Sequence, residues 1–282
     1  MRFGAAPDTV TAPPVEPYGY GLLSVAALPD SSGVRVANGV QYEPLTCTPA
    51  QTTRDACITT DRDGNPLPTP GELLADPGVP LVEADPLTLY AGFRCSAVGR
   101  SHADMQERAR QALRLGEQRG LERAFWTGEE GNRPRLADPD ADLLAVAPQS
   151  PVRALGLLEG YLGERYPGRG VIHIPRGLVP ALHGNGLLKV EGDEIVTLLG
   201  TRVAAGGGYP NTGPDGAVAG ANTGWAYATG QVAVWRGPEL ELAEGQVAAA
   251  MDRTTNEVNL IVERQYAVGR ECALGAVPIA LT

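Results

Sequence analysis

The chain has 282 residues, 43% of them hydrophobic and 20% charged, which is ordinary globular usage and enough to bury a large core without disulfide staples. A formal net charge of -10 argues against a protein whose main work is gripping nucleic-acid phosphates. No run of about 18 apolar residues marks a membrane span and no apolar leader opens the chain, so the expectation is a soluble, cytosolic protein without a membrane partner.

Residues 1 to 85 are rich in Pro, Gly, Thr and Asp and hold only short apolar pieces, Leu22 to Ala27 and Val34 to Val36. Such a segment cannot bury a core by itself, so it reads as an extended arm with hairpin pieces that becomes ordered by lying on neighbouring surfaces. Asp61-Arg62-Asp63-Gly64-Asn65-Pro66 is a turn signal and lacks the closing bidentate Glu of a calcium loop. Cys47, Cys57, Cys95 and Cys272 are too scattered for a disulfide framework and read as reduced, mostly buried thiols. Cys47 and Cys57 are the one pair that could close across a loop in an oxidising medium.

Residues 86 to 98 are strand-like, with Leu87, Leu89, Tyr90, Phe93 and Cys95. Ser101 then predicts an N-cap, with Asp104 three residues on, for a helix over 103–126. Met105, Ala109, Ala112 and Gly116 fall on one side of it, continued by Leu121, Ala124 and Phe125. Arg108, Arg110, Arg114, Arg119 and Arg123 stand against Asp104, Glu107, Glu117 and Glu122, either as a solvated face laced with i,i+4 pairs or as a long helix exchanging ion pairs with neighbouring subunits. A second helix has clear grammar: Ser150 at N-cap, Pro151 at N1, a stripe of Leu155, Leu158 and Leu162, and a stop at Tyr166-Pro167-Gly168. Val171 to Ile174 is a short buried strand, followed by a helical turn at 178–182.

Thr201 to Ala204 and Thr223 to Trp235 read as strands separated by a glycine-rich loop, Gly206 to Gly213. The loop has no Lys-Ser/Thr ending and opens no helix, so the expectation is a mobile surface loop and not a phosphate cradle. Val258, Leu260, Val262, Arg264, Tyr266 and Val268 alternate with polar residues in the best strand of the chain, and Ala276 to Leu281 form a last apolar strand.

Chemistry has few carriers. His102, His173 and His183 are the only histidines, and His173, between Ile172 and Ile174, reads as a hydrogen-bonded core or interface residue. No His-Glu-x-x-His, Cys-x-x-Cys, Gly-x-Ser-x-Gly, Walker or Rossmann pattern occurs in a fitting context, so no catalytic, cofactor-binding or metal residue is assigned. The enzymatic alternative is a metal-dependent hydrolase centred on His173 and His183, joined by Asp193 or Glu194, at a spacing that matches no common ligand pattern.

The order of parts, with Glu122-Arg123-Ala124-Phe125-Trp126-Thr127-Gly128, Tyr227 to Trp235, Thr254 to Val258 and Glu263 to Val268, resembles the major capsid proteins of tailed bacteriophages, actinobacterial ones in particular. The resemblance implies an α+β chain of the Hong Kong 97-type capsid fold, with an N-terminal arm (1–40), an extended loop (41–85), a peripheral domain (86–140 and 241–273) with a spine helix (103–126), and an axial domain (141–240 and 274–282). Inter-subunit contacts are expected from Arg108, Arg114, Glu117, Arg119, Arg123, Trp126 and Arg264, and an axial loop from Gly206, Gly207, Gly208 and Tyr209. The implied role is a shell subunit forming pentamers and hexamers around double-stranded DNA, without sequence-specific binding, assembled in the host cytoplasm and retained in the virion. Portal, scaffold and cement or decoration proteins are its implied further partners, and an encapsulin-like compartment shell is the nearest alternative. Some relatives weld their shells by a lysine-to-asparagine bond; here the only lysine is Lys189, so an extended loop has no nucleophile to give and welding of that kind is predicted absent.

Overall fold

The computed structural model describes residues 13–44, 50, 52–55, 57–69, 81–96, 101–241, 251–252, 254 and 257–281. In chain order they form α1 (Leu22–Val25), β1 (Val40–Tyr42), β2 (Val82–Ala84), β3 (Pro86–Ser96), α2 (His102–Thr127), β4 (Asp142–Leu143), α3 (Pro151–Arg165) and β5 (Val171–Pro175). There follow α4 (Val179–Gly184), β6 (Leu188–Glu191), β7 (Glu194–Thr197), β8 (Arg202–Gly206), β9 (Thr223–Thr229), β10 (Val232–Glu241), β11 (Met251–Asp252), β12 (Glu257–Arg270) and β13 (Leu274–Ala280). No helix among the described residues is long and apolar enough to cross a membrane.

The two predicted helices form where their caps place them. Ser101 accepts the Asp104 N–H at the start of α2, and Ser150 accepts from the Arg153 N–H with Pro151 in the first turn of α3. Gly128, at φ +64°, closes α2 in a left-handed turn that a side-chain-bearing residue adopts only at a cost.

Two sheets share the work of burial. The smaller pairs β12 with β3 on one side and with β10 and β11 on the other. Its inward row, Val258, Leu260, Val262, Tyr266 and Val268, is buried as the alternation predicts, and α2 lies on it with Ala109 and Leu113 against Val262, Leu89 and Phe93. The larger is seven-stranded in the order β4-β13-β9-β5-β8-β7-β6, parallel only at β4/β13 and β5/β8. Its central strand β5 is buried at every residue, and α3 lies on the sheet over β13 and β9, with Leu155, Leu158 and Leu162 in a core with Ile172, Ile174 and Val203. The C-terminal end of α2 serves both sheets. Leu121, Phe125 and Trp126 share one core cluster with Val171, Ala204 and Tyr227 of the large sheet and Val234, Tyr266 and Val268 of the small one. Each such fully buried large side chain contributes on the order of 2–3 kcal/mol of apolar burial.

Three expectations are corrected. The stretch from Thr223 to Trp235 is two strands in different sheets, β9 in the larger and β10, paired with β12, in the smaller, with the change at Gly230–Gln231. A Cβ on Gly230 would press on the Cys272 carbonyl oxygen and the Tyr166 ring, which is why the chain changes sheets at a glycine. At that point the two crossing segments bond to each other, Gly230 N–H to Cys272 O at 3.1 Å and Glu271 N–H to Gln231 O at 2.8 Å.

The N-terminal part lies on its own chain, not only on neighbours. Leu22 and Val25, one turn apart, are buried in the core beside α2, Ala27 bridges to Ala233, and Val36 packs with Trp235 and Ala267.

Cys57 is an exposed free thiol, so it is neither buried nor paired with Cys47, which lies outside the described residues, and Cys272 is disulfide-bonded where a reduced thiol was expected.

Candidate assembly site

The polar residues of α2 sort into three environments. Arg108, Arg114, Arg119 and Arg123 point to solvent. The Arg108 guanidinium lies 5.6 Å from the centroid of the Phe93 ring and Arg123 pairs with Glu129 at 2.6 Å, whereas Arg114 and Arg119 have no ion-pair partner among the described residues.

Glu117 and Arg264, expected to reach a neighbouring subunit, turn inward. Glu117 accepts from the Tyr266 hydroxyl at 2.9 Å and faces Arg236 at 3.3 Å and Arg264 at 3.7 Å, while Arg264 donates to Glu239 at 2.8 Å. Their charges are spent tying α2 to β12 and β10. The residues pair because β10 and β12 run antiparallel with Glu239 opposite Arg264. Trp126 is corrected more completely. It is fully buried, its ring 4.8 Å from Tyr209 in a tilted pair and 4.8 Å from Tyr227 edge to face, and its indole N–H donates to Thr212 Oγ1 at 2.9 Å. It belongs to the interior of the chain's own fold.

Glu122, also on α2, is fully buried as well. Its carboxylate accepts from the Tyr18 hydroxyl at 2.7 Å, the Gly208 N–H at 2.8 Å and the Leu22 N–H at 3.0 Å. Loss of water raises its pKa above the ordinary carboxylate range, and the Gly208, Tyr18 and Leu22 donors and the charge of Arg176 only partly offset this. Gln118 extends the junction by donating to Tyr18 O at 2.8 Å, and Arg176 lies over the Tyr18 ring and donates to Gly19 O at 2.9 Å. One helical turn thus fixes the N-terminal segment and the glycine-rich segment together.

That second segment departs from its expected character. Gly206, Gly208 and Tyr209 are buried and only Gly207 is exposed, so no mobile surface loop is formed there. A Cβ on Gly208 would collide with the Arg119 carbonyl oxygen, so glycine here permits close approach of two backbones. Tyr209 seats its hydroxyl 3.0 Å from His173 Nδ1, and His173 Nε2 lies 2.9 Å from Thr229 Oγ1. Burial pushes His173 down to about 3, with Arg270 adding to the shift, so the ring is neutral and structural. His183 contacts Leu188 O at 3.2 Å, and no three His, Cys, Asp or Glu side chains among the described residues come together to hold a metal ion. His173, His183, Asp193 and Glu194 therefore do not form the centre that the hydrolase alternative requires.

By composition Glu122 is one of four acids balancing five arginines on α2. The usable signal was its position: an acid inside the apolar run from Leu121 to Trp126 has to be buried with that run, and a buried carboxylate needs donors. Tyr18 and Thr212 carried no local signal at all.

No family model matches the sequence, and no curated protein matches it. Solved structures do. The chain is similar to the capsid of the native GTA particle, with a TM-score of 0.58 at 11% identity over 98% of this chain and 95% of that one. It is similar to the capsid of Ralstonia phage GP4, with a TM-score of 0.54 at 12% identity, covering 99% of this chain and 97% of that one. The holo-SrpI encapsulin complex from Synechococcus elongatus PCC 7942 gives 0.53 at 10% identity, covering 98% and 94%. End to end, the chain has the mixed α+β fold of Hong Kong 97-type shells.

Proposed function

Starting from that fold, we propose that this chain is the major capsid subunit of a tailed bacteriophage, assembling with copies of itself into pentamers and hexamers of an icosahedral head. The observation that carries the reading is similarity to phage-type capsids along nearly the whole chain. A site-poor interior supports it, since the buried His173 and Glu122 are consumed by internal hydrogen bonds.

Within the proposal α2 is the spine helix of a peripheral domain built on β3, β10 and β12, and the seven-stranded sheet with α3 is the axial domain. The arm is the part preceding Tyr18, because Tyr18 onward is fixed to Glu122. Arg108, Arg114, Arg119 and Arg123 are the helix positions offered to neighbouring subunits. Gly207 is the one residue of the four proposed for an axial loop that still faces outward. The net charge of -10 suits an inner wall that does not adhere to packed double-stranded DNA.

Expression of the chain followed by sedimentation and negative-stain microscopy tests this. Hollow icosahedral particles are expected; a monomer at every concentration would overturn it. The similarity to an encapsulin complex favours a second reading, a compartment shell. Nuclease-protected DNA inside native particles supports the capsid, and a co-purifying cargo enzyme in its place supports the compartment.

A further inference from the structure

Cys272 is disulfide-bonded, and the chain has three other cysteines to supply the second sulfur, Cys47, Cys57 and Cys95. Cys57 is a free thiol. Cys95 stands opposite Val258 in the β3–β12 register, and β12 then runs twelve residues on to Arg270 before Cys272 is reached. At about 3.3 Å per residue that is roughly 40 Å of strand, against the about 7 Å that a disulfide allows between its two Cα atoms. Elimination leaves Cys47, which lies outside the described residues.

The described residues before Cys47 support the same pairing. At the end of β1 the Tyr42 hydroxyl donates to Arg270 O at 2.5 Å, and a Cβ on Gly269 would strike the Tyr42 ring. Tyr42 also meets Trp235, with ring centroids 5.1 Å apart, and Pro44 beyond it is buried, so the chain still lies on the fold there. Five positions separate Tyr42 from Cys47 and two separate Arg270 from Cys272. Five extended residues span up to about 18 Å, which puts the two sulfurs within reach of each other. Cys272 is half-buried, and its carbonyl accepts the Gly230 N–H at 3.1 Å where the chain changes sheets.

We infer that Cys47 and Cys272 form an intrachain, redox-sensitive staple that fastens the segment after β1 to the crossing between the two sheets. Closing it from the dithiol takes an oxidant of the small-molecule disulfide class. One thiolate attacks that disulfide and expels a small thiol; the second attacks the resulting mixed disulfide and expels another. The chain gives up two electrons and two protons, and the oxidant becomes two thiols. A dithiol reductant reverses the exchange. Because the joined residues lie more than two hundred positions apart, the bond removes much freedom from the unfolded chain, and the oxidised form is the more stable. A thiol-rich cytosol holds such a pair open and an oxidising medium closes it, so the staple distinguishes chains inside a cell from chains released from one.

Arginines separate all four cysteines, so trypsin places each in its own peptide, 36–54, 55–62, 95–100 and 271–282. Full-length chain is treated with oxidised glutathione, its remaining free thiols are alkylated, and it is digested without reductant. Mass spectrometry is expected to find 36–54 linked to 271–282, a species that dithiothreitol removes. A link from 271–282 to 55–62 or 95–100, or no link at all, overturns the inference. The oxidised chain is expected to melt at least about 5 °C above the reduced one. Cys47→Ser and Cys272→Ser abolish that difference, and Cys57→Ser keeps it. Equal midpoints for the oxidised and reduced parent sink the staple. Both measurements use unassembled chain, so their failure leaves the shell reading untouched.

Discussion

Glu122 and Tyr18 stand 104 positions apart in sequence and 2.7 Å apart in space, the tyrosine hydroxyl donating to a carboxylate with no access to water. The pair joins the first described segment of the chain to its longest helix. Because the same carboxylate also receives Gly208 and Leu22, it sets the relative positions of three segments at once.

Removing that acceptor strands three buried donors. Glu122→Ala is expected to destabilise the unassembled chain by about 3 kcal/mol or more, and Glu122→Gln by less, because the amide keeps one acceptor oxygen for these donors while its NH2 faces the backbone N–H of Leu22 or Gly208. Urea unfolding of unassembled protein separates the two; equal losses would show that volume and not donor pairing matters.

The pH dependence has a definite sign. Since burial raises the Glu122 pKa in the folded state, the folded chain holds a proton that the unfolded chain has released between the ordinary carboxylate range and the raised value. Stability from this group is therefore greatest below that window and falls as pH rises through it. The difference in unfolding free energy between the parent and Glu122→Gln, measured at successive pH values from acid to neutral, is expected to shrink with rising pH. A difference that grows would reverse the assignment.

Gly208→Ala forces a methyl group against the Arg119 carbonyl oxygen and costs about 2 kcal/mol or more, because a backbone cannot retreat as a side-chain tip can. Gly156→Ala on α3 is the matched control: nothing lies within 4 Å of its added Cβ, and it stabilises by roughly 0.5–1 kcal/mol. Thermal midpoints of both variants check the contrast.

Helix positions facing out and facing in should separate by readout. Arg114→Ala and Arg119→Ala leave the free subunit within about 0.5 kcal/mol of the parent and raise the concentration needed for assembly, while Trp126→Ala costs about 3–5 kcal/mol before assembly is reached. Subunit unfolding and sedimentation of the same samples test the division. Loss of subunit stability in Arg119→Ala would return that residue to the interior.

Assembled particles boiled in detergent under reducing conditions are expected to release single chains, since Lys189, the only lysine, pairs with Glu191 on the β6–β7 hairpin. A covalent ladder surviving those conditions would show another linkage.

What could be read from the sequence was whatever is decided within a few residues. Ser101 with Asp104 and Ser150 with Pro151 announce their helices because the capping partners are three positions away. The alternation of β12 announces its buried face because one face is packed along its length. Contacts chosen across the chain were hidden. Glycine in Gly206-Gly207-Gly208 suggests mobility from composition alone, yet the missing side chain lets the backbone press against α2. The charges of Glu117 and Arg264 were legible while their direction was not, since β10 was read as part of one long strand with β9 and its pairing with β12 decides where Glu239 stands. Leu22 and Val25 form too short a pattern to reveal that their partners lie about a hundred residues later.

The segments Gly230–Gln231 and Glu271–Ala273 carry the chain between its two sheets side by side, bonded to each other in both directions. The two sheets are therefore joined twice, by this backbone crossing and by the core that Leu121, Phe125 and Trp126 share with both, so a bend at the crossing would have to open that core.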